Sequence, residues 1–185
     1  MEATEEAKLL EALRTPSERE GAFRRMVVLT QERLYAHLRR MVTDHATTDD
    51  LMQQTYIKAW QNIDKFRGDS QLYTWLYRIA TNEALAHFRK QKRRAETELD
   101  PTYHAQQRTN AATESLDPEA IEAHLAAALA TLPERQRAVF SLKYFEQKPY
   151  KEIAKILDVS EGALKASYHH AVKKIEAYVN NEAFS

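Results

Sequence analysis

The sequence predicts an all-α protein made of two small helical domains joined by a flexible linker. The chain has 185 residues but only three glycines and five prolines, too few for an all-β or loop-rich fold. Good helix formers, mainly Ala, Leu, Glu, Lys, Arg and Gln, dominate the composition. Apolar residues recur at helical spacing on both sides of residues 95–116, where the periodicity is lost. Each half is near the size at which a single hydrophobic core suffices.

Opposite charges are equal in number but separated along the chain. Lys and Arg total 27, as do Asp and Glu, so the formal net charge is zero. A zero net charge by itself argues against a nucleic-acid partner. Acidic residues, however, gather at the N-terminus and in the middle of the chain, whereas basic residues gather at 89–94 and in the final helices. This separation predicts two kinds of partner surface.

Cysteine usage and hydropathy predict a cytoplasmic protein. The chain has no cysteine, which excludes disulfides and thiolate metal sites and fits a reducing compartment. No apolar run approaches the length of a membrane span, so membrane insertion is not expected. The acidic N-terminus is unlike a signal peptide.

Patterning in the N-terminal half predicts a charged extension over 1–20, followed by helices. The helix over 21–42 is predicted to turn inward Phe23, Val27, Thr30, Leu34, Leu38 and Met41. The next helix is predicted to start near Thr47, because hydroxyl and carboxylate side chains suit a first turn. Its apolar stripe leaves five polar residues exposed: Asp49, Asp50, Gln53, Gln54 and Lys58. The acidic and amide side chains suit either water or a basic protein groove, and spacing alone favours water.

A turn over 66–70, with Ser70 as a helix cap, precedes an aromatic and basic helix predicted over 71–94. Aromatic rings near its start are followed by cations at its end. This mixture suits single-stranded nucleic acid, because bases stack on the rings while Lys and Arg follow the phosphates. The alternative is that the aromatics are core and the basic run is a solvated helix end. The core interpretation is favoured for Trp75, and the nucleic-acid interpretation for the basic run.

Residues 95–116 are polar, acidic and threonine-rich, which predicts a linker. The C-terminal half, 117–185, begins with Asp117 as a helix cap and Pro118 at the first helical position. Pro133 is predicted to open a second helix. The C-terminal half is therefore expected to contain four helices.

The stretch 149–175 has the spacing of a helix-turn-helix. Pro149 suits a first helical position, and Ser160 suits the cap of the second helix. The second helix has a long apolar stripe: Leu164, Tyr168, Ala171, Val172, Ile175, Tyr178 and Val179. In a helix-turn-helix this helix enters the major groove by its N-terminal residues. Its first turns and opposite face carry the candidate DNA contacts: Ser160, Glu161, Gly162, Ala163, Lys165, Ala166, His169, His170 and Lys173. An αα-corner with a solvated basic face would show much the same pattern.

Two segments together resemble the extracytoplasmic-function sigma factors of bacterial RNA polymerase, within the sigma-70 family. The first, DDLMQQTYIKAWQNIDKFRGDSQLYTWLYRIATNEALAHFRKQKRR, is similar to sigma region 2. The second, LATLPERQRAVFSLKYFEQKPYKEIAKILDVSEGALKASYHHAVKKI, is similar to region 4. On this resemblance, residues 21–94 are the region 2 domain and 117–185 the region 4 domain, with 95–116 between them.

The resemblance implies a promoter-specificity subunit that directs transcription initiation. It implies that the polar face at 49–54 docks on core polymerase, and that the helix from Ser160 reads the −35 element as duplex. Region 2 would recognise and melt the −10 element by capturing unstacked bases. The residues implied in that role are Phe66, Arg67, Asp69, Trp75, Arg78, Asn82, Arg89, Arg93 and Arg94.

The chain departs from the family pattern at three positions. Asp158 stands at the turn where the family commonly has glycine, and aspartate tolerates the left-handed conformation better than most residues. Ser167 and His170 stand where the recognition helix usually carries arginines. Lysines and histidines on the same helix are expected to replace those phosphate contacts.

The resemblance implies three partners: core RNA polymerase, promoter DNA and an anti-sigma factor that clamps both domains. The free protein is expected to be a monomer, without a cofactor or metal. One alternative is a helix-turn-helix regulator that does not replace the sigma subunit; it explains 149–175 but not the helix at 71–94. A second is an all-α enzyme, although the seven histidines are scattered without ligand spacing. A third is a structural adaptor, which would leave the basic run unused. The prediction is that the protein is not an enzyme.

Overall fold

The computed structural model describes residues 3–42, 44–66, 68, 70–98 and 118–183. Within these residues the fold is all-α, as predicted, with eight α-helices and no strand. The helices are α1 Ala3–Arg14, α2 Arg19–Val42, α3 His45–Asn62, α4 Leu72–Glu98, α5 Pro118–Ala130, α6 Glu134–Phe140, α7 Tyr150–Leu157 and α8 Glu161–Ala183. A 3₁₀ turn over Ile63–Lys65 follows α3, and a π-helical turn over Ser141–Phe145 follows α6.

Helix α4 is the centre of the fold, because it packs against α2, α3, α6 and α7. A helix with neighbours on several sides is buried beyond a single stripe. Accordingly, Trp75 and Tyr77 are buried along with Leu72 and Leu76. The aromatic residues at this end of the helix are therefore core, which is the interpretation favoured for Trp75 from the sequence.

The cap of α3 is Asp44, three residues before the predicted start at Thr47. Asp44 Oδ2 accepts a hydrogen bond of 2.7 Å from the Thr47 backbone N–H, and hydrogen bonding by the side chain and backbone of Thr47 lowers the pKa of the Asp44 carboxyl. The Thr48 hydroxyl is buried and donates to the Asp44 carbonyl. Asp44 is the cap because its carboxylate accepts a first-turn N–H, whereas the Thr48 hydroxyl points inward and does not reach that N–H.

The charged N-terminal segment forms a helix that packs on the core. Leu9 and Leu13 of α1 are 4% and 0% exposed, and both belong to the main core cluster. Helix α1 contacts α2 and the 3₁₀ turn after α3. Burial of two leucines contributes about 3–6 kcal/mol toward holding such a short helix in place.

The two halves of the chain share one hydrophobic core. Val139, Leu142 and Ile153 of the C-terminal half join the same buried cluster as α2 and α4. Helix α7 packs directly on α4. A smaller cluster around Phe140 and Ala171 holds α8 against α5 and α6. The helix-turn-helix of α7 and α8 is thus packed on the N-terminal half.

The ends of the long helices differ from the predicted bounds. Helix α4 continues to Glu98 instead of ending at 94, while Asp117 and most of the predicted linker lie outside the described residues. Val179, predicted to be part of the buried stripe of α8, is 51% exposed. Helix α8 has 23 residues and outreaches the shorter helices it packs on, so its last turns leave the core. No helix in the described part of the chain is long and apolar enough to span a bilayer.

Candidate nucleic-acid interface

The turn between α7 and α8 is formed as predicted. Asp158 adopts the left-handed conformation, with φ 54° and ψ 51°, and its backbone N–H donates to the Ala154 carbonyl. Ser160 caps α8, because its Oγ accepts a hydrogen bond of 3.3 Å from the Ala163 N–H. Pro149 differs slightly from prediction: it precedes the first helical residue, with an extended ψ of 148°.

One side of α8 is buried and the other is open. Leu164 and Ala171 are 1% and 0% exposed and anchor the helix. All nine candidate contacts are on the exposed side or at the exposed start of the helix: Ser160, Glu161, Gly162, Ala163, Lys165, Ala166, His169, His170 and Lys173. A Cβ built on Gly162 would meet nothing within 4 Å. The first turn of α8 therefore presents small side chains, backbone N–H groups and a partial positive charge to an approaching groove.

The basic part of α4 divides into two faces. Arg78, Asn82, Arg89 and Arg93 are all exposed. At 100° per residue they fall within about 60° of one another and span about 22 Å along the helix. We call this set the α4 stripe. Its length and charge suit several consecutive phosphates of a single strand.

Arg94 belongs to the other face of α4. It lines a groove between α3 and α4 of about 200 Å³, together with Lys90 and with Asp50 and Gln54 of α3. His87 lies in the same groove, and burial lowers the pKa of its imidazole. The adjacent residues Arg93 and Arg94, predicted to act together, therefore face different surroundings.

Phe66 and Trp75, both predicted to face a melted strand, pack against each other. Their ring centroids are 5.1 Å apart, and the residues are only 6% and 8% exposed. A base stacks on a ring only where the face of the ring is open. In this conformation both rings are buried and present no open face to a base. Arg67 and Asp69, also predicted there, lie outside the described residues.

The predicted protein-docking face of α3 is exposed at all four positions: Asp49, Asp50, Gln53 and Gln54. Two apolar residues on the following turns, which were not predicted to belong to this face, are also exposed: Ile57 at 55% and Trp60 at 39%. Their helical spacing from Gln53 was the signal that could have found them. Acidic and amide groups beside an exposed apolar patch suit a protein partner.

A buried carboxylate joins the two halves of the chain. The Glu146 side chain is 6% exposed and pairs with Arg40 at 3.0 Å and Arg33 at 3.4 Å. The Tyr77 hydroxyl donates to it at 2.5 Å, and burial together with this bond raises the pKa of Tyr77. We call these four residues the Glu146 cluster. Its members come from α2, α4 and the residue after the π-helical turn, so sequence spacing held no signal for it.

Further polar contacts cross between the halves, among them those of His37 and Arg137. His37 is buried and lies 2.9 Å from Thr81 Oγ1 and 3.2 Å from Ser141 Oγ. Burial lowers the pKa of His37 to about 4, so the imidazole is neutral at pH 7. Arg137 Nη1 donates to the Met41 carbonyl at 2.6 Å. Such buried polar contacts fix one relative orientation of the packed surfaces.

Comparison with protein-family models matches both halves of the chain. Residues 26–94 match the model of Sigma-70 region 2, and residues 123–175 match that of Sigma-70 region 4. The chain is 30% identical over 163 residues to the RNA polymerase sigma-H factor of Pseudomonas aeruginosa, covering 84% of each protein. It is 31% identical over 164 residues to the ECF RNA polymerase sigma-E factor of Haemophilus influenzae, covering 84% of this chain and 86% of that factor.

Solved structures with the same fold are also found. The sigma factor RpoE of Bartonella quintana, solved with the anti-sigma factor NepR, matches with a TM-score of 0.68 at 24% identity, over 85% of this chain and 96% of that one. CnrH, solved with the cytosolic domain of CnrY, matches with a TM-score of 0.69 at 22% identity, over 95% and 97%.

Proposed function

This chain belongs to the sigma-70 family of RNA polymerase sigma factors, in the extracytoplasmic-function group, and we propose that the α4 stripe and the open side of α8 are its promoter-reading surfaces. As a sigma factor it binds core RNA polymerase and directs transcription initiation at promoters. A regulator that leaves the sigma subunit in place is not favoured, because such a protein has no use for region 2.

Region 4 reads the −35 element as duplex through the start of α8. The observation that supports this role is the capped first turn, which exposes Gly162 and Ala163 while Leu164 is held in the core. Small side chains let the helix approach base edges. Lys165 and Lys173 supply phosphate contacts farther along the helix, with His169 and His170 beside them.

Region 2 holds the melted −10 strand along the α4 stripe, from Arg78 to Arg93. The guanidinium groups follow the phosphates, and the Asn82 amide offers both a donor and an acceptor to a base edge. Phe66 and Trp75, to which the resemblance gave a part in strand capture, are buried against each other, so their part in this role is to pack beside the start of α4. Arg67 and Asp69 remain candidate contacts within that loop. Capturing unstacked bases lowers the free energy of the open state without nucleotide hydrolysis.

Core polymerase is contacted by the polar face of α3 at Asp49, Asp50, Gln53 and Gln54. Ile57 and Trp60 extend this face with apolar area. The groove in which Asp50 lies beside Arg94 marks the boundary between the polymerase face and the DNA face.

The remaining assignments follow from this role. Sigma factors are non-catalytic, and we extend this to the chain, which acts in the bacterial cytoplasm where core polymerase is found. We assign residues 21–94 to the region 2 domain and residues 117–185 to the region 4 domain. The anti-sigma factor NepR bound to RpoE supports an anti-sigma partner here, with a monomer as the unbound form.

Reconstitution tests the proposal. The full chain is added to sigma-free bacterial core polymerase, genomic DNA is transcribed and the 5′ ends are mapped. We expect discrete start sites that share one motif near −10 and another near −35. Start sites identical to those of core enzyme alone would contradict the proposal. Sequence-specific duplex binding by a dimer without polymerase would favour the regulator instead.

A further inference from the structure

Two side chains of α1 bind the main chain at both ends of the loop between α3 and α4. Arg14 Nη2 donates to the Phe66 carbonyl at 3.1 Å, on the entering side of the loop. Glu6 Oε1 accepts from the Leu72 N–H at 2.5 Å, on the leaving side. The two contacts join residues 52 and 66 positions apart in sequence. The main chain is therefore held at Phe66 and at Leu72 by the same helix.

The Glu6 contact replaces the cap that the sequence predicted from Ser70. Leu72 is the first residue of α4, so its N–H has no partner inside the helix. A carboxylate at this position accepts that N–H and also meets the positive end of the helix dipole. The start of α4 is therefore fixed by a residue of another helix, and with it the origin of the α4 stripe.

Helix α1 is itself rigidly seated. Leu13, one residue before Arg14, is fully buried, and Leu9 is 4% exposed. Just after α1, Arg19 pairs with Asp64 at 3.0 Å and donates to the Trp60 carbonyl at 3.1 Å. Arg19, the first residue of α2, thus holds the end of α3 and the 3₁₀ turn that leads to the loop.

The geometry points to Glu6 and Arg14 as positioning residues for −10 recognition: they hold the main chain at Phe66 and at the first turn of α4, on either side of the loop that reads the melted strand. This inference rests on the proposed function of the loop and stripe. Neither residue touches DNA in this role. Each acts through the backbone of the segment that does.

Matched substitutions separate this role from a general effect of charge. Glu6→Ala and Arg14→Ala remove the contacts. Glu6→Gln keeps a carbonyl acceptor for Leu72, and Arg14→Lys keeps a donor for Phe66, so both should restore part of the function. Glu5→Ala is the control, because it removes the same charge from the adjacent residue, whose ion pair with Arg25 is exposed and 3.6 Å long.

The probes are two DNA libraries offered to holoenzyme made with the full chain. One is a duplex with a single-stranded non-template overhang randomised over six positions, and the other is a duplex randomised upstream. Sequencing the bound fraction gives the motif that each surface selects. We expect Glu6→Ala and Arg14→Ala to lower base enrichment in the overhang motif roughly fivefold, as for one lost hydrogen bond, and to leave the duplex motif unchanged.

The outcomes separate the two proposals. If the wild-type chain selects no motif in the overhang, the proposed −10 function fails. If it selects one and the two alanine variants select it equally well, the positioning role of Glu6 and Arg14 is overturned while the function stands. Equal loss of both motifs, with a lowered unfolding midpoint, would also overturn the positioning role, because it would mean that α1 contributes only to folding.

Discussion

The carboxylate of Glu146 lies 3.0 Å from the guanidinium of Arg40, across the junction between the region 4 and region 2 halves. The two residues are 106 positions apart in sequence. With a side-chain exposure of 6% for Glu146 and 28% for Arg40, this pair is the more enclosed of the two ion pairs that Glu146 makes across the junction. The packed arrangement of the halves therefore depends on the buried negative charge of Glu146.

Glu146→Gln should destabilise the junction. It removes the negative charge that Arg40, Arg33 and Tyr77 share, and we expect a loss of about 2 kcal/mol in the free energy of unfolding. The loss stays below the 3–5 kcal/mol of a fully buried pair because Arg33 is 56% exposed and can be rehydrated. Urea unfolding measures it. Glu20→Gln, which breaks an exposed pair with Arg24, is the control and should change stability by less than about 0.5 kcal/mol. Equal losses in the two variants would contradict the expectation.

Acidification should destabilise the fold through His37. Its folded pKa of about 4 lies below the ordinary value of 6.5, so the unfolded chain binds more protons between those pH values. Stability is therefore complete above pH 6.5 and is lost as pH falls toward 4, by about 3 kcal/mol at the limit. Unfolding midpoints across this range measure the effect.

His37→Gln keeps hydrogen-bonding capacity toward Thr81 and Ser141 but cannot titrate. Its stability should vary less between pH 6.5 and 4 than that of the wild type. His170→Gln, at an exposed position, should keep the wild-type profile. A His37→Gln profile parallel to the wild type would show that other groups, such as His87, carry the pH dependence.

Arg93→Ala and Arg94→Ala should differ although the residues are adjacent. Arg93 lies on the α4 stripe, so its loss should lower the log–log salt slope of DNA binding by about one. Arg94 lies in the groove beside Asp50, so its loss should leave that slope unchanged. Both slopes are measured from holoenzyme binding to a promoter fragment at salt concentrations between about 50 and 200 mM. Identical slopes for the two variants would exclude the separation into two faces.

Gly162→Ala should separate folding from DNA binding. The added Cβ meets nothing within 4 Å inside the protein, and alanine favours the helix by up to about 1 kcal/mol. The unfolding midpoint should therefore rise or stay constant. Affinity for the −35 duplex should fall, because the methyl group stands where the helix approaches base edges. Unchanged affinity would move the contact surface away from this first turn.

Asp50→Lys and Lys165→Ala form a reciprocal pair. Asp50→Lys reverses a charge on the α3 face and should weaken association with core polymerase at least tenfold, which is the effect of about 1.4 kcal/mol. Lys165→Ala should weaken −35 binding and leave association with core unchanged. Polymerase pull-down and duplex binding are measured on both variants. Loss of polymerase association in Lys165→Ala would mean that α8 contributes to core docking.

The sequence by itself determined the helices, the order of the two regions and the exposed faces of α3 and α8. These features follow from the spacing of apolar residues and from caps such as Ser160, which act within a few residues of their own position. The turn at Asp158 was predictable for the same reason, because left-handed tolerance is a property of one residue.

Only the tertiary structure decided what each polar group meets. Glu6 reaches Leu72, and Glu146 reaches Arg40, across 66 and 106 residues of chain. Periodicity marks which side of a helix is apolar, but it carries no record of which other helix covers that side. The burial of Phe66 and Trp75, the seating of region 4 on region 2 and the separate surroundings of Arg93 and Arg94 all depend on those long-range neighbours.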